Sequence, residues 1–228
     1  PANGVQVDGY TLGIRAEGHG REVMVLGSSV YYPRTFSSRL QARYRFAFVD
    51  LRHFARRERA TDGSAGLDTY MDDIERLRTR VGYERFVLVV HSHHGNVALE
   101  YARRFPARVS RLVLIGTSPC IVAATLDEGR AYWDRCASPE RKQILLGQLA
   151  AERAAPRSDA EAFVNRYVAE GPRYWFDPGF DASHLWRDVP VDPAALASFK
   201  RFFVDYSFPL SSVGAMPVLV VMGLHDYV

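Results

Sequence analysis

Cysteine is nearly absent from this 228-residue chain. Its two thiols, Cys120 and Cys136, form no Cys-x-x-Cys pair and have no histidine partner pattern. That usage argues against a disulfide framework or a thiolate zinc site and leads us to expect reduced thiols in a cytoplasmic protein. Long apolar runs are missing too, and Pro1-Ala2-Asn3-Gly4 is not a positive segment leading into an apolar stretch, so no membrane partner is expected. Charge of one sign is scarce: 29 Lys and Arg face 26 Asp and Glu, a net +3. The densest basic run, Arg56-Arg57-Glu58-Arg59, is short and broken by an acid; it reads as a solvated loop and gives no nucleic-acid partner. Internal repeats and low-complexity tracts are also lacking. What is present in quantity is apolar residue, 47% of the chain, enough to bury the core of one domain or of one domain with an insertion.

Apolar patterning supplies the fold class. Residues 5–7 and 10–16 alternate around Asp8-Gly9, a hairpin signal. Apolar runs at 23–26, 46–49, 86–90 and 109–115 then alternate with helical periodicity at 35–42, 67–81 and 97–104. Near-continuous strands separated by amphipathic helices predict an α/β fold with a mostly parallel, doubly wound sheet covered on both faces. From 119 to 215 the strands cease. Helical segments are expected at 122–136, 139–155, 159–170 and 193–206, and the strand pattern returns at 217–223. The expected division is a core of 1–118 and 216–228 with a helical lid of 119–215 inserted over the strand ends, where such sheets bind ligands.

The most informative stretch is Leu88-Val89-Val90-His91-Ser92-His93-His94-Gly95-Asn96-Val97, in which a buried strand runs into a serine and at once into a helix. That turn lifts a serine hydroxyl clear of the backbone beside free helix N–H groups, the arrangement an activated nucleophile and an oxyanion need. Here the chain resembles the α/β-hydrolase superfamily, whose elbow commonly reads Gly-His-Ser-x-Gly-Gly, and the likeness continues through Phe105-Pro106-Ala107-Arg108-Val109. It spans the chain outside the lid. Val90 and His94 stand where that pattern has small residues, and His53-Phe54-Ala55 follows Asp50-Leu51-Arg52 where it has Gly-x-Gly-x-Ser. The histidines around Ser92 have no carboxylate at a ligand spacing, so neither a metal nor another cofactor is expected.

The resemblance implies the site. Ser92 is the nucleophile, and Asp226, in Gly223-Leu224-His225-Asp226 after the last strand, is the acid that orients a histidine. The family order is Ser, Asp, then His, and the given sequence ends at Val228. The histidine is therefore expected downstream, and these 228 residues alone are expected to be inactive. His91 matches the residue that commonly precedes the nucleophile, a structural role. His93 contributes its backbone N–H to the oxyanion hole, and Ser28, after Gly27, contributes the second; Leu26 replaces the family's histidine before that glycine. Ser29, His94 and the lid's Trp175 are expected to meet the substrate, a small molecule with an apolar portion suited to the aromatic-rich lid. The implied reaction is cleavage of a carboxylic ester, lactone or amide. A proline iminopeptidase-like aminopeptidase, using Glu161 or Glu170 for the substrate amine, and a non-catalytic ligand-binding member of the fold are the alternatives. A serine nucleophile argues against the branches of the fold that use aspartate.

Overall fold

A computed structural model of the chain describes residues 4–61, 63–117, 122–153, 158–204, 206–209, 214–223 and 227. Asp8 and Gly9, with φ of 38° and 86°, turn β1 (Gly4–Val7) into β2 (Tyr10–Glu17). Two positive φ values in succession give the turn the twist of its flanking strands. There follow β3 (Arg21–Gly27), α1 (Ser38–Gln41), β4 (Tyr44–Asp50), β5 (Arg56–Arg57), α2 (Leu67–Val81), β6 (Phe86–His91), α3 (His94–Arg104) and β7 (Val109–Ile115). Helices α4 (Val122–Cys136), α5 (Pro139–Arg153), α6 (Asp159–Ala169), α7 (Gly171–Tyr174), α8 (Ser183–Trp186) and α9 (Pro193–Val204) precede β8 (Val218–Val221).

Among the described residues the strands form one sheet in the order β1-β2-β4-β3-β6-β7-β8, with β5 attached to β2. From β4 to β8 the pairing is parallel, while β1, β2 and β5 pair antiparallel. Alternation along each strand divides its side chains between two apolar clusters. Met24, Leu26, Leu88 and Val90 pack with α2 and α3 on one face, and Val23, Val25, Val87 and Val89 join Phe46 and Phe48 on the other. Val90 is fully buried in the first cluster, so its bulk is absorbed by the core. The chain runs outward from β3 to β4 and then crosses back to β6 on the other side of β3. The carboxyl ends of β3 and β6 therefore flank the point where the winding reverses, the usual ligand crevice of an open α/β sheet.

Three expectations are corrected. The helix expected at 35–42 is reduced to the four residues of α1; a 3-10 turn at Tyr32–Arg34, with Pro33 at its centre, precedes it, and the extended Ser37, with ψ of 149°, separates the two. Helix α3 begins at His94 rather than 97, because the reversal is completed at Ser92 and His93. The basic run is a strand in part: Arg56 and Arg57 pair with Thr11 and Tyr10, although their side chains stay exposed.

Candidate active site

Only Ser92 and His93 separate β6 from α3. Ser92 has φ of 55°, a left-handed conformation that costs a residue with a Cβ on the order of 1–2 kcal/mol. The turn is held from β7 and its following loop: the Ser92 N–H donates to the Ile115 carbonyl at 2.9 Å, and the Thr117 hydroxyl donates to the Ser92 carbonyl at 2.9 Å. The Ser92 hydroxyl is half-buried, with His93 Nδ1 3.2 Å from its Oγ. Burial and the charge of Lys200 hold the His93 imidazole below its ordinary pKa. His93 is the N-cap residue of α3, and its backbone N–H has no acceptor among the described residues. Close approach at the elbow falls on Gly95, where a Cβ would stand 2.0 Å from Thr117 Cγ2.

The neighbouring loop leaves β3. Val25 is level with Val89 where β3 and β6 pair, and Ser28 and Ser92 each follow three residues on, past the carboxyl ends of these neighbouring strands. Ser28 is buried; its Oγ accepts the N–H groups of Val30 and Tyr31 at 3.2 and 3.1 Å, while its own N–H has no acceptor among the described residues. Two unpaired N–H groups thus accompany Ser92, one from each adjacent strand end. Ser29 is differently employed. Its N–H donates to Asp50 Oδ1 at 2.5 Å, and Asp50 Oδ2 accepts the Gly13 N–H at 2.9 Å. Burial pushes the Asp50 carboxyl up to about 6 against the opposing pull of these bonds.

His94 lies buried behind the elbow, between Tyr32 and His53. Trp175 packs on Phe180 with centroids 4.7 Å apart, while Trp186 reaches Tyr31 beside the β3 loop at 4.7 Å. Asp226 and His225 fall outside the described residues. Glu161 is engaged in the capping box of α6, and Glu170 meets Arg166 and the Tyr174 hydroxyl at 2.7 Å each. A cavity of about 480 Å³ lies between α6 and α9, lined by Phe163, Tyr167, Tyr174, Leu196 and Lys200 among others. Phe163 connects it through Phe54, 6.2 Å away, to His94, 6.1 Å further on. Sequence reasoning missed Asp50, His53, Tyr32 and Thr117 as parts of this region; Asp50, a charged residue closing an apolar strand, and His53, a departure from the family pattern, carried a local signal.

Among the described residues no three His, Cys, Asp or Glu side chains are grouped to hold a metal ion, and no helix is long and apolar enough to cross a membrane. A family model described as the α/β hydrolase fold matches residues 25–135. Over 227 residues the chain is 33% identical to the AB hydrolase superfamily protein YclE of Bacillus subtilis (strain 168), covering 96% of this chain and 80% of that protein. Among solved structures, the enol-lactonase from Burkholderia xenovorans LB400 matches with a TM-score of 0.60 and 16% identity, over 96% of this chain and 91% of that one. The epoxide hydrolase of Bacillus megaterium matches with a TM-score of 0.59 and 16% identity, over 96% and 81%. At these identities the structural likeness is one of fold.

Proposed function

The chain belongs to the α/β-hydrolase superfamily, and from that membership we propose that it is a serine hydrolase cleaving a carboxylic ester, lactone or amide through an acyl-enzyme at Ser92. The observation that carries this reading is the left-handed backbone of Ser92 on the β6–α3 turn, beside the free N–H groups of Ser28 and His93. Ser92 Oγ attacks the carbonyl carbon, and its proton passes to an imidazole oriented by Asp226, the family arrangement. The carbonyl oxygen gains negative charge as the tetrahedral intermediate forms, and the two N–H groups stabilise it there more than in the substrate. Collapse expels the alcohol or amine, which takes the proton from the imidazolium; water, giving a proton to the imidazole, then attacks the acyl carbon and releases the acid, the proton returning to Ser92 Oγ.

Helices α4–α9 act as the lid of this site. The aromatic lining of the cavity between α6 and α9 supports a substrate with an apolar acyl chain or ring. Labelling the intact protein with a fluorophosphonate tests the assignment. Wild type is expected to label and to hydrolyse p-nitrophenyl esters, and Ser92→Ala to do neither. Labelling that survives Ser92→Ala overturns the nucleophile, and a wild type that neither labels nor turns over points to a non-catalytic member of the fold.

A further inference from the structure

His94 and His53 are two of the positions at which the chain departs from the pattern it resembles, and they touch. Their Nε2 atoms are 3.0 Å apart, with ring planes inclined by 21° and centroids separated by 5.2 Å. That centroid separation is what two five-membered rings give when they meet vertex to vertex, nearly coplanar, across a 3.0 Å gap. Face-to-face stacking would put the nitrogens of each ring over the other ring, and a metal ion bound by both would need room between them. The geometry is that of a linear N–H···N hydrogen bond.

One proton occupies the gap, and the surroundings decide which ring carries it. Both imidazoles are buried and neutral, His53 held down to about 3 and His94 well below its usual range by loss of solvent. Each therefore has one N–H. His94 Nδ1 faces the Tyr32 hydroxyl at 3.2 Å, and the His94 ring has a backbone hydrogen bond with His91 that favours its protonated form. His53 Nδ1 is buried with no partner among the described residues. A proton on His94 Nε2 would leave an N–H stranded at His53 Nδ1, whereas a proton on His53 Nε2 leaves only a lone pair there, the smaller penalty. The order is His53 Nε2–H to His94 Nε2, with His94 Nδ1–H directed at Tyr32 and the His91 backbone.

This chain of bonds bears on the oxyanion loop. Gly27, with φ of 135°, lies so close to Tyr32 and His94 that a Cβ there would meet Tyr32 Cε2 at 2.4 Å and His94 Cε1 at 2.9 Å. The His94 ring thus supports the backbone of Gly27, whose next residue supplies the Ser28 N–H, and itself grows from the helix that starts after Ser92. His53 belongs to the loop after β4 and is covered by Phe199 of α9 at 4.4 Å. Loops from β3, β4 and β6 therefore meet at one ring.

We infer that His53 and His94 form a neutral, directionally ordered imidazole strut, and that they are positioning residues which set the Ser28 N–H against the oxygen bound at Ser92. The inference rests on the serine-hydrolase reading for its kinetic consequence and on ring geometry for its physical one, and the two are measured separately. In the intact protein, NMR of the imidazole nitrogens is expected to show a scalar coupling between the two rings across the hydrogen bond, which His53→Leu abolishes. His53→Leu is expected to lower kcat on a p-nitrophenyl ester about tenfold or more, with KM changed by less than about twofold. His53→Gln restores an N–H donor in the same place and is expected to recover most of that kcat.

Absence of the coupling in wild type that still labels at Ser92 overturns the strut alone. A wild type that shows the coupling but neither labels nor turns over overturns the hydrolase reading and the kinetic consequence with it. Unchanged kcat in folded His53→Leu, or a loss that His53→Gln does not relieve, overturns the positioning role. Should His53→Leu fail to fold, the wild-type coupling and the kcat of His53→Gln decide the matter.

Discussion

A buried neutral histidine makes stability depend on pH in a definite direction. His53 protonates near 6.5 when unfolded but only near 3 in the fold. Between those values the unfolded chain binds more protons, so the stabilising effect is complete above 6.5 and is lost as pH falls, by about 1.4 kcal/mol per pH unit for one group. His94 acts in the same sense. Asp50 opposes them: its carboxyl titrates near 6 in the fold and at 3.8 unfolded, so the folded state binds more protons in that interval and gains stability as pH falls. His93, also held below its ordinary pKa, adds to the two histidines; replacing His53 by leucine removes one of these three imidazole contributions and leaves Asp50 in place. Denaturant unfolding between pH 6 and pH 4 is therefore expected to show a pH slope shallower in His53→Leu than in wild type by about one proton. Equal slopes would mean that His53 is charged or solvated in the fold, contrary to its burial.

The elbow is an element in which backbone and side-chain demands coincide. A Cβ at position 95 would stand 2.0 Å from Thr117 Cγ2 and 2.5 Å from its Oγ1, and Thr117 is the residue that bonds the Ser92 carbonyl. Gly95→Ala is expected to cost about 2–3 kcal/mol through this overpacking. Pairing it with Thr117→Gly clears the space, so the double variant should be more stable than the sum of the single effects by more than about 1 kcal/mol in a double-mutant cycle. Additive effects would show that the helix start shifts freely and that the close approach is unimportant. Much of this element was legible: the strand–serine–helix order identifies the turn, and the spans 67–81 and 109–115 coincide with α2 and β7 because their apolar periods are complete. The residue that absorbs the close approach was less so. Position 94 holds the departure from the family pattern, but position 95 meets Thr117, and that contact joins separate loops. The His53–His94 bond was hidden for the same reason, since each residue is locally just a histidine near a strand end.

At the largest scale, the sheet of the described residues is asymmetric. Its β1–β2 side is turned back on itself by the hairpin and β5, whereas β8 pairs with β7 on one side and, among the described residues, with no strand on the other. Both faces of β8 are open: Val218, Leu219, Val220 and Val221 are 40–57% exposed, followed by Met222 at 54%. Four apolar residues with an unpaired row of backbone donors and acceptors make a template for another strand, and no charge lies within β8 to discourage it. Net charge adds little resistance, because +3 spread over 228 residues repels weakly. A polypeptide of these 228 residues is accordingly expected to self-associate through β8, its apparent mass rising with concentration in sedimentation or light-scattering measurements. Leu219→Lys with Val220→Lys places a charge on each face of the strand and should return the protein to monomer. The fold around Ser92, set by β6 and β3 two and three strands inward, should be the same in this variant as in its parent, with an unchanged far-ultraviolet circular dichroism spectrum. Association that persists unchanged in the double-lysine variant would assign the contact to another surface, and a wild-type polypeptide that stays monomeric at every concentration would show that the β8 edge is protected in solution.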